Sequence, residues 1–350
     1  MTKISVLTTV YNGKAYLAEA IESVLNQSWT DFEFIIIDDA STDNSVDIIK
    51  SYTDPRIRFF QNEKNIGQTA SLNKGLGFAQ GEYIARLDQD DVCLPERLQE
   101  QYKYLKNNQD ITIVSSWEHT IDSKGVKVHS WRGKLDNYGG FLGYLLLGLC
   151  PVWHPSVMFK KSDILKLNGF DTDYGPAEDY ELWSRIAVNR MNAAFVPKFH
   201  LLQRVHGNNQ SLLQSDKQAD SNRRAHKKLI QYFYAGKDSE DLVALLRLER
   251  SKYGRLYDRN EVRILGKKLN TLTLNIKETQ SLTDKEYFSL KRKVFSRVGL
   301  GMLFSPVITR FPNVIFLPIF YFSSPLLIPN LRNKLSVILS YFHRLKHILK

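Results

Sequence analysis

Residues 81–95 read Gly-Glu-Tyr-Ile-Ala-Arg-Leu-Asp-Gln-Asp-Asp-Val-Cys-Leu-Pro. Residues 82–87 have the apolar content of a short strand, and Asp88, Asp90 and Asp91 crowd its carboxyl end. Three carboxylates in four residues repel one another. A turn needs only one Asp, beside Gly or Asn. The crowding makes sense where a hard divalent cation neutralises it, since Mg²⁺-type sites use one or two carboxylates plus ligand phosphates. The plain alternative is a charged surface turn with a helix cap. Pro95 suits the start of the helix predicted over residues 95–105.

Upstream of this turn the chain alternates strand and helix. Residues 4–9 form an apolar run rich in β-branched side chains. Tyr16, Leu17, Ala20, Ile21, Val24 and Leu25 then make a helical stripe over residues 14–27. Residues 32–37 are almost continuously apolar, as in a strand covered on both faces. The run ends in Asp38 and Asp39, followed by Ser41, Thr42 and Asp43, which is turn and cap chemistry. Further helices are predicted over 46–51 and 68–79, and further strands over 57–60 and 111–115. This rhythm predicts an α/β fold with a Rossmann-like, mostly parallel sheet flanked by helices. Ligands of such sheets bind outside the carboxyl ends of the strands. The polar clusters at 9–12, 38–43 and 88–91 fall there.

Downstream the pattern is less regular. Gly139, Gly140, Gly143 and Gly148 interrupt residues 117–150. Residues 154–159 resemble a strand, Ser162 caps a short helix, residues 178–188 are helical and 193–196 extended. After residue 212 amphipathic helical stretches follow, over 214–234 and 239–257. The expected division is a catalytic part over 1–212, with a nucleotide half to about 115 and an acceptor half after it, and a mostly helical, basic region over 213–350.

The chain has 350 residues and a formal charge of +11, unevenly spread. Residues 1–200 hold 21 Lys and Arg against 26 Asp and Glu, and residues 201–350 hold 27 against 11. Residues 287–350 carry ten basic side chains and no acidic one. A basic rear half meets something anionic: a membrane surface, a nucleic acid or an anionic substrate. Aromatic residues there sit among Pro and Leu rather than among Arg and Lys, which disfavours nucleic acid. Residues 311–331 are uncharged, but Pro312, Pro318, Pro325 and Pro329 argue against one straight membrane span and for broken segments in or on a membrane. Cys93 and Cys150 are the only cysteines and have no metal-site spacing, which suits a reducing compartment. No secretory leader is visible.

Two more carboxylate groups stand out. Asp38 and Asp39 could accept hydrogen bonds from a ribose or a base. Glu178 and Asp179 open a predicted helix, where acidic residues are favoured by the dipole anyway, or where one could serve as a general base. His206 lies in a Gly/Asn loop, after Arg204, where a core role is disfavoured; His154 is ambiguous. There is no Walker-type loop, no Gly-x-Gly-x-x-Gly after the first strand and no Gly-x-Ser-x-Gly elbow. This weighs against P-loop NTPases, nicotinamide dehydrogenases and α/β-hydrolases.

In order along the chain, ISVLTTVYNG (4–13), FIIIDDASTDNS (34–45), Asn65-Ile66-Gly67, GEYIARLDQDDVCLP (81–95), HPSVM (154–158), EDYELW (178–183) and RVHGNNQ (204–210) resemble the motifs of glycosyltransferase family 2, on a GT-A type fold. Thr9 stands where that family commonly has Pro, and Ala40 where it has Gly. The resemblance covers about residues 3–211 and implies inverting transfer from a nucleoside-diphosphate sugar, most often a UDP-sugar, to an acceptor hydroxyl. It implies donor contacts from Thr9, Tyr11, Asp38, Asp39, Asn65 and Asp88. It makes Asp90 and His206 ligands of Mn²⁺ or Mg²⁺, and gives Arg204 a part in neutralising the leaving group. Asp179 becomes the general base, with Glu178 beside it. With the basic rear half, it suggests a lipid-linked saccharide acceptor in surface-polysaccharide (O-antigen or capsule) synthesis. The enzyme would then sit in the cytoplasm, peripheral on the inner face of an anionic membrane. A nucleotidyltransferase and a non-catalytic membrane-docked protein are the competing expectations.

Overall fold

The computed structural model describes residues 2–209, 213–234, 239–247 and 259–298. The expectations for residues 299–331, including the Pro-broken apolar stretch, lie outside the described residues.

The front of the chain runs β1 (Ile4–Val10), α1 (Leu17–Leu25), β2 (Phe32–Asp38), α2 (Ser45–Lys50), β3 (Ile57–Gln61), α3 (Gln68–Phe78) and β4 (Tyr83–Arg86). β1 and β2 are buried along their whole length. Their side chains alternate between two cores, as a pleated strand requires. Phe34 and Ile36 join Leu17, Ile21 and Val24 of α1 on one face, and Ile35 and Ile37 join Leu72 and Leu76 of α3 on the other. Each such aliphatic side chain buried contributes about 1.5–3 kcal/mol. Gly75 lets α3 lie close on the sheet, because a Cβ there would meet Leu7 Cδ1 at 2.2 Å.

The second half adds β5 (Val92–Cys93), α4 (Arg97–Asn107), β6 (Ile111–Ile121), β7 (Lys127–Trp131), α5 (Tyr138–Leu146), a 3₁₀ turn (His154–Ser156), β8 (Met158–Lys160), α6 (Lys161–Lys166), a second 3₁₀ turn (Thr172–Tyr174), α7 (Glu178–Val188) and β9 (Asn192–Arg204). The sheet order is β3-β2-β1-β4-β8-β6-β9-β5, with β7 paired to β6. β1, β2, β3, β4, β6 and β9 run in one direction, while β5, β7 and β8 oppose them. The expected mostly parallel α/β sheet is therefore present.

Two local expectations differ. The strand expected over 154–159 is a 3₁₀ turn followed by β8, because Pro155 at the turn's first positions has no N–H to give a ladder. The irregular stretch 117–150 holds the rest of β6, then β7 and the Gly-rich helix α5.

The rear helices are α8 (Ser215–Phe233), α9 (Ser239–Leu246), α10 (Arg259–Thr279) and α11 (Asp284–Val298). Their apolar faces join α5 and α7 in one cluster, where Ala225, Leu229, Leu242, Leu269 and Leu290 meet Phe141, Leu145, Tyr180 and Trp183. The core thus crosses the expected boundary at residue 212.

Candidate active site

β1, β2 and β4 point their carboxyl ends at one edge of the sheet, where the loops 11–13, 38–45 and 88–91 meet. The meeting is built from hydrogen bonds between loops. Asn12 accepts from the Thr42 N–H at 2.8 Å, and the Asn12 N–H donates to Ser41 Oγ at 3.0 Å. Asn12 and Ala40 both have positive φ, 51° and 60°, so these loops hold left-handed turns without glycine. The Tyr11 N–H donates to Gln89 Oε1 at 2.9 Å, and Gln89 Nε2 donates to the Tyr11 carbonyl at 3.2 Å. The Tyr11 ring is exposed, and Thr9 is buried at the end of β1.

Asp38 is fully buried. One oxygen accepts from the Ser41 N–H at 3.0 Å, and the other has no partner among the described residues. Asp39 accepts from Asn62 Nδ2 (2.8 Å), the Ile66 N–H (2.9 Å) and the Gly67 N–H (2.8 Å). It therefore fixes the 62–67 loop, which carries the expected donor residue Asn65 on its exposed side.

The acid turn draws in the end of β9. β5 follows the turn directly and pairs with Leu201 and Leu202, so Arg204 and His206 arrive beside residues 90 and 91. His206 Nε2 lies 2.8 Å from Asp90 Oδ2, and Asn209 Nδ2 donates to the same oxygen at 3.1 Å. The Asn208 N–H donates to His206 Nδ1 at 3.2 Å, so in the neutral ring Nε2 carries the proton and donates to Asp90. Burial and the Asp88 charge raise the Asp90 carboxyl above its ordinary range, while His206 opposes the shift. Among the described residues no group of three or more His, Cys, Asp or Glu side chains could hold a metal ion. Asp90 and His206 are two converging donors. A cation there would take the rest of its shell from ligand oxygens, as a diphosphate supplies. That fits the tautomer of His206 with its proton on Nδ1, for which the Asn208 N–H would turn away from that nitrogen.

Arg204 is held by protein groups under the acid turn. It is buried, and its guanidinium donates to Glu19 Oε2 at 2.5 Å and to the Asp90 carbonyl at 3.0 Å, above the Tyr16 ring at 4.5 Å. Its own N–H donates to Asp91 Oδ1 at 2.8 Å, across 113 residues. These contacts make it a brace under the acid turn. Asp91, buried beside Asp88 and Asp90, is pushed well above the carboxylate range by burial first and those charges second.

α7 opens with Glu178 and Asp179 on the far side of the site. Glu178 is buried, and burial followed by the Asp179 charge pushes its pKa to about 7. Asp179 is partly exposed. Burial raises its pKa too, against hydrogen bonds from the Tyr180 N–H at 2.6 Å and from Cys150 Sγ at 3.4 Å. His154 Nδ1 stands 3.8 Å from Glu178 Oε1, beyond hydrogen-bond range. Burial holds this imidazole well below its ordinary pKa, so it is neutral. The buried Arg86 bonds Asp88 through Nη2, and its charge reaches both Glu178 and His154. It ties the acid turn to the start of α7.

Asp38, Asp39, Asp88, Asp90 and His206 thus meet along one edge, with Glu178 and Asp179 across from Asp88. The sequence did not single out Gln89, Glu19, Tyr16, Arg86 or Cys150. Gln89 lay unmarked inside the acid cluster, and Tyr16 looked like one more member of a helical stripe.

The model of the Glycosyl transferase family 2 matches residues 5–165. An uncharacterized glycosyltransferase of Methanocaldococcus jannaschii is 38% identical over 206 residues, covering 58% of this chain and 70% of that relative. The O-antigen biosynthesis glycosyltransferase WbnJ of Escherichia coli is 36% identical over 189 residues, covering 52% of this chain and 71% of WbnJ. Among solved structures, S. aureus TarS 1–349 in complex with UDP superposes with a TM-score of 0.54 at 16% identity, covering 86% of this chain and 91% of TarS 1–349. That likeness extends the shared architecture well past the segment the sequence relatives cover. The chain belongs to glycosyl transferase family 2 and is a glycosyltransferase.

Proposed function

We propose that this enzyme moves a sugar from a UDP-sugar to an acceptor hydroxyl with inversion at the anomeric carbon. The observation that carries the reading is the pairing of two groups across Asp88: Asp90 with His206 on the donor side, and Asp179 with Glu178 on the other. In this reading Thr9, Tyr11, Asp38, Asp39 and Asn65 form the nucleoside end, and the unpartnered oxygen of Asp38 is an acceptor for a base or ribose donor. Asp90 and His206 would hold Mn²⁺ or Mg²⁺, which stabilises the charge developing on the departing diphosphate. Asp179 takes the proton of the attacking hydroxyl. Its raised pKa makes it a stronger base than an exposed Asp, and such a base is worth about 10²–10⁴ in rate. Attack from the face opposite the diphosphate inverts the centre, and no enzyme nucleophile is needed.

The acceptor class proposed is a lipid-linked saccharide of surface-polysaccharide synthesis, which the likeness to WbnJ supports. Peripheral binding to the inner face of an anionic membrane is supported by charge. Lys134, Lys285, Arg292 and Lys293, with Asp136 paired to Lys134 and Arg292, rim a groove of about 590 Å³ beside the 67%-exposed Phe288, so basic side chains outnumber acidic ones there. Among the described residues no helix is long and apolar enough to cross a membrane.

A screen of nucleotide sugars for nucleotide release, with Mn²⁺ or with EDTA, tests the reading. Release from one UDP-sugar that EDTA abolishes is the expected result. No turnover of, and no stabilisation by, any nucleotide sugar would sink it.

A further inference from the structure

Trp131 and Trp153 meet beside the site with ring centroids 5.5 Å apart and planes at 62°. Both are only partly buried. Neither indole N–H has a protein acceptor among the described residues, although buried indoles ordinarily find one. Both backbones are fixed. Trp131 ends β7, paired with β6, and the Trp153 carbonyl accepts from the Ser156 N–H and Ser156 Oγ, each at 3.0 Å.

The pair's position follows from its neighbours. Trp131 is in register with Glu118 of β6, so the two side chains share a face of the sheet. Glu118 in turn is a neighbour of the buried Asp91. On the other side, Trp153 is three residues after Cys150, whose Sγ donates to Asp179 at 3.4 Å. The two indoles therefore stand on segments that flank the acid turn on one side and the start of α7 on the other.

We infer that Trp131 and Trp153 form a saccharide platform that holds the acceptor's sugar rings against the base. The π-face of an indole carries negative charge density, and the C–H face of a pyranose presents weakly positive hydrogens to it. The free N–H groups at the ring edges suit sugar hydroxyls. Two rings set at an angle hold two consecutive sugars better than one, so the acceptor is at least a disaccharide. The inference rests on the glycosyltransferase reading with Asp179 as base.

The test uses the full chain with UDP and Mn²⁺. The probes are methyl glycosides of glucose, galactose and N-acetylglucosamine, with cellobiose, lactose and chitotriose. Binding is read by tryptophan fluorescence and by saturation-transfer NMR. The expected result is that at least one oligosaccharide binds and its methyl glycoside binds more weakly. Trp131→Ala and Trp153→Ala should then each weaken oligosaccharide binding about tenfold or more, and Trp153→Phe should keep most of it. UDP binding, unchanged in all variants, reports that they are folded. Failure of every saccharide to bind, or binding unaltered in the alanine variants, overturns the platform. So does saturable quenching by a prenyl phosphate where no saccharide quenches, which would make the corner a lipid contact. Loss of UDP binding in the wild type would instead count against the glycosyltransferase donor site, and the saccharide titrations would still decide the platform.

Discussion

Tyr11 and Gln89 hold each other across 78 residues, backbone N–H to side-chain oxygen and side-chain N–H to backbone carbonyl. This double contact joins the loop after the first strand to the middle of the acid turn. Gly13 belongs to the same arrangement, since a Cβ there would come within 2.5 Å of Gln89 Oε1.

Gln89→Ala removes both bonds, each worth about 0.5–1.5 kcal/mol. The expected outcome is UDP binding weakened roughly tenfold by titration calorimetry, with transfer at saturating donor much less affected. Unchanged UDP affinity would mean that the two loops are positioned without this contact.

Asp179→Asn keeps the size of the side chain and removes its basicity. Transfer should fall by about 10²–10⁴ while UDP-sugar affinity stays within a few-fold. In the wild type, activity should rise with pH as Asp179 ionises. Because burial raises that pKa, the acidic limb should lie above the ordinary carboxylate range. A variant with near-normal turnover would remove Asp179 from the role of base.

Asp90→Ala and His206→Ala address the cation. In wild type, UDP titrations with Mn²⁺ and with EDTA should differ. In Asp90→Ala the two curves should coincide, and in His206→Ala the gap should shrink. Equal gaps in all three proteins would place the cation elsewhere.

Glu118 has both oxygens buried with no partner among the described residues, and burial pushes its pKa to about 8 from an ordinary value of 4.5. Between those values the folded protein holds a proton that the unfolded chain has released. Stability contributed by this group is therefore present below about pH 4.5 and is lost as pH rises toward about 8. Glu118→Gln cannot ionise, so its thermal midpoint should fall less than that of wild type between pH 6 and 9. Parallel curves for the two proteins would show that Glu118 has a partner in solution.

Much of this was legible in the residues because burial on both faces leaves a plain signature. β1 and β2 are continuous apolar runs, and the Asp clusters end them where a parallel sheet puts its ligands. Helix α5 was not legible. Gly139 and Gly143 weaken any local helical signal, and their reason lies elsewhere in the chain. A Cβ at Gly139 would meet the Glu286 carbonyl oxygen at 1.9 Å, and one at Gly143 would meet Lys293 Cβ at 2.9 Å. The surroundings of Arg204 were not legible for a similar reason. Its charge is visible in the sequence, but Glu19, which takes that charge, lies 185 residues away. No local pattern links them.

The close seat of α11 on α5 has a mechanical consequence. Tyr138, at one end of α5, donates its hydroxyl to the Ala187 carbonyl of α7 at 2.5 Å, and Leu145, at the other end, accepts from the Tyr180 hydroxyl at 2.5 Å. Helix α7 carries Asp179 at its start, and the acid-free end of the chain departs from α11. Among the described residues, packed helix joins the two. A force applied through α11 reaches the Asp179 carboxylate through that packing, without a loop between them to absorb it.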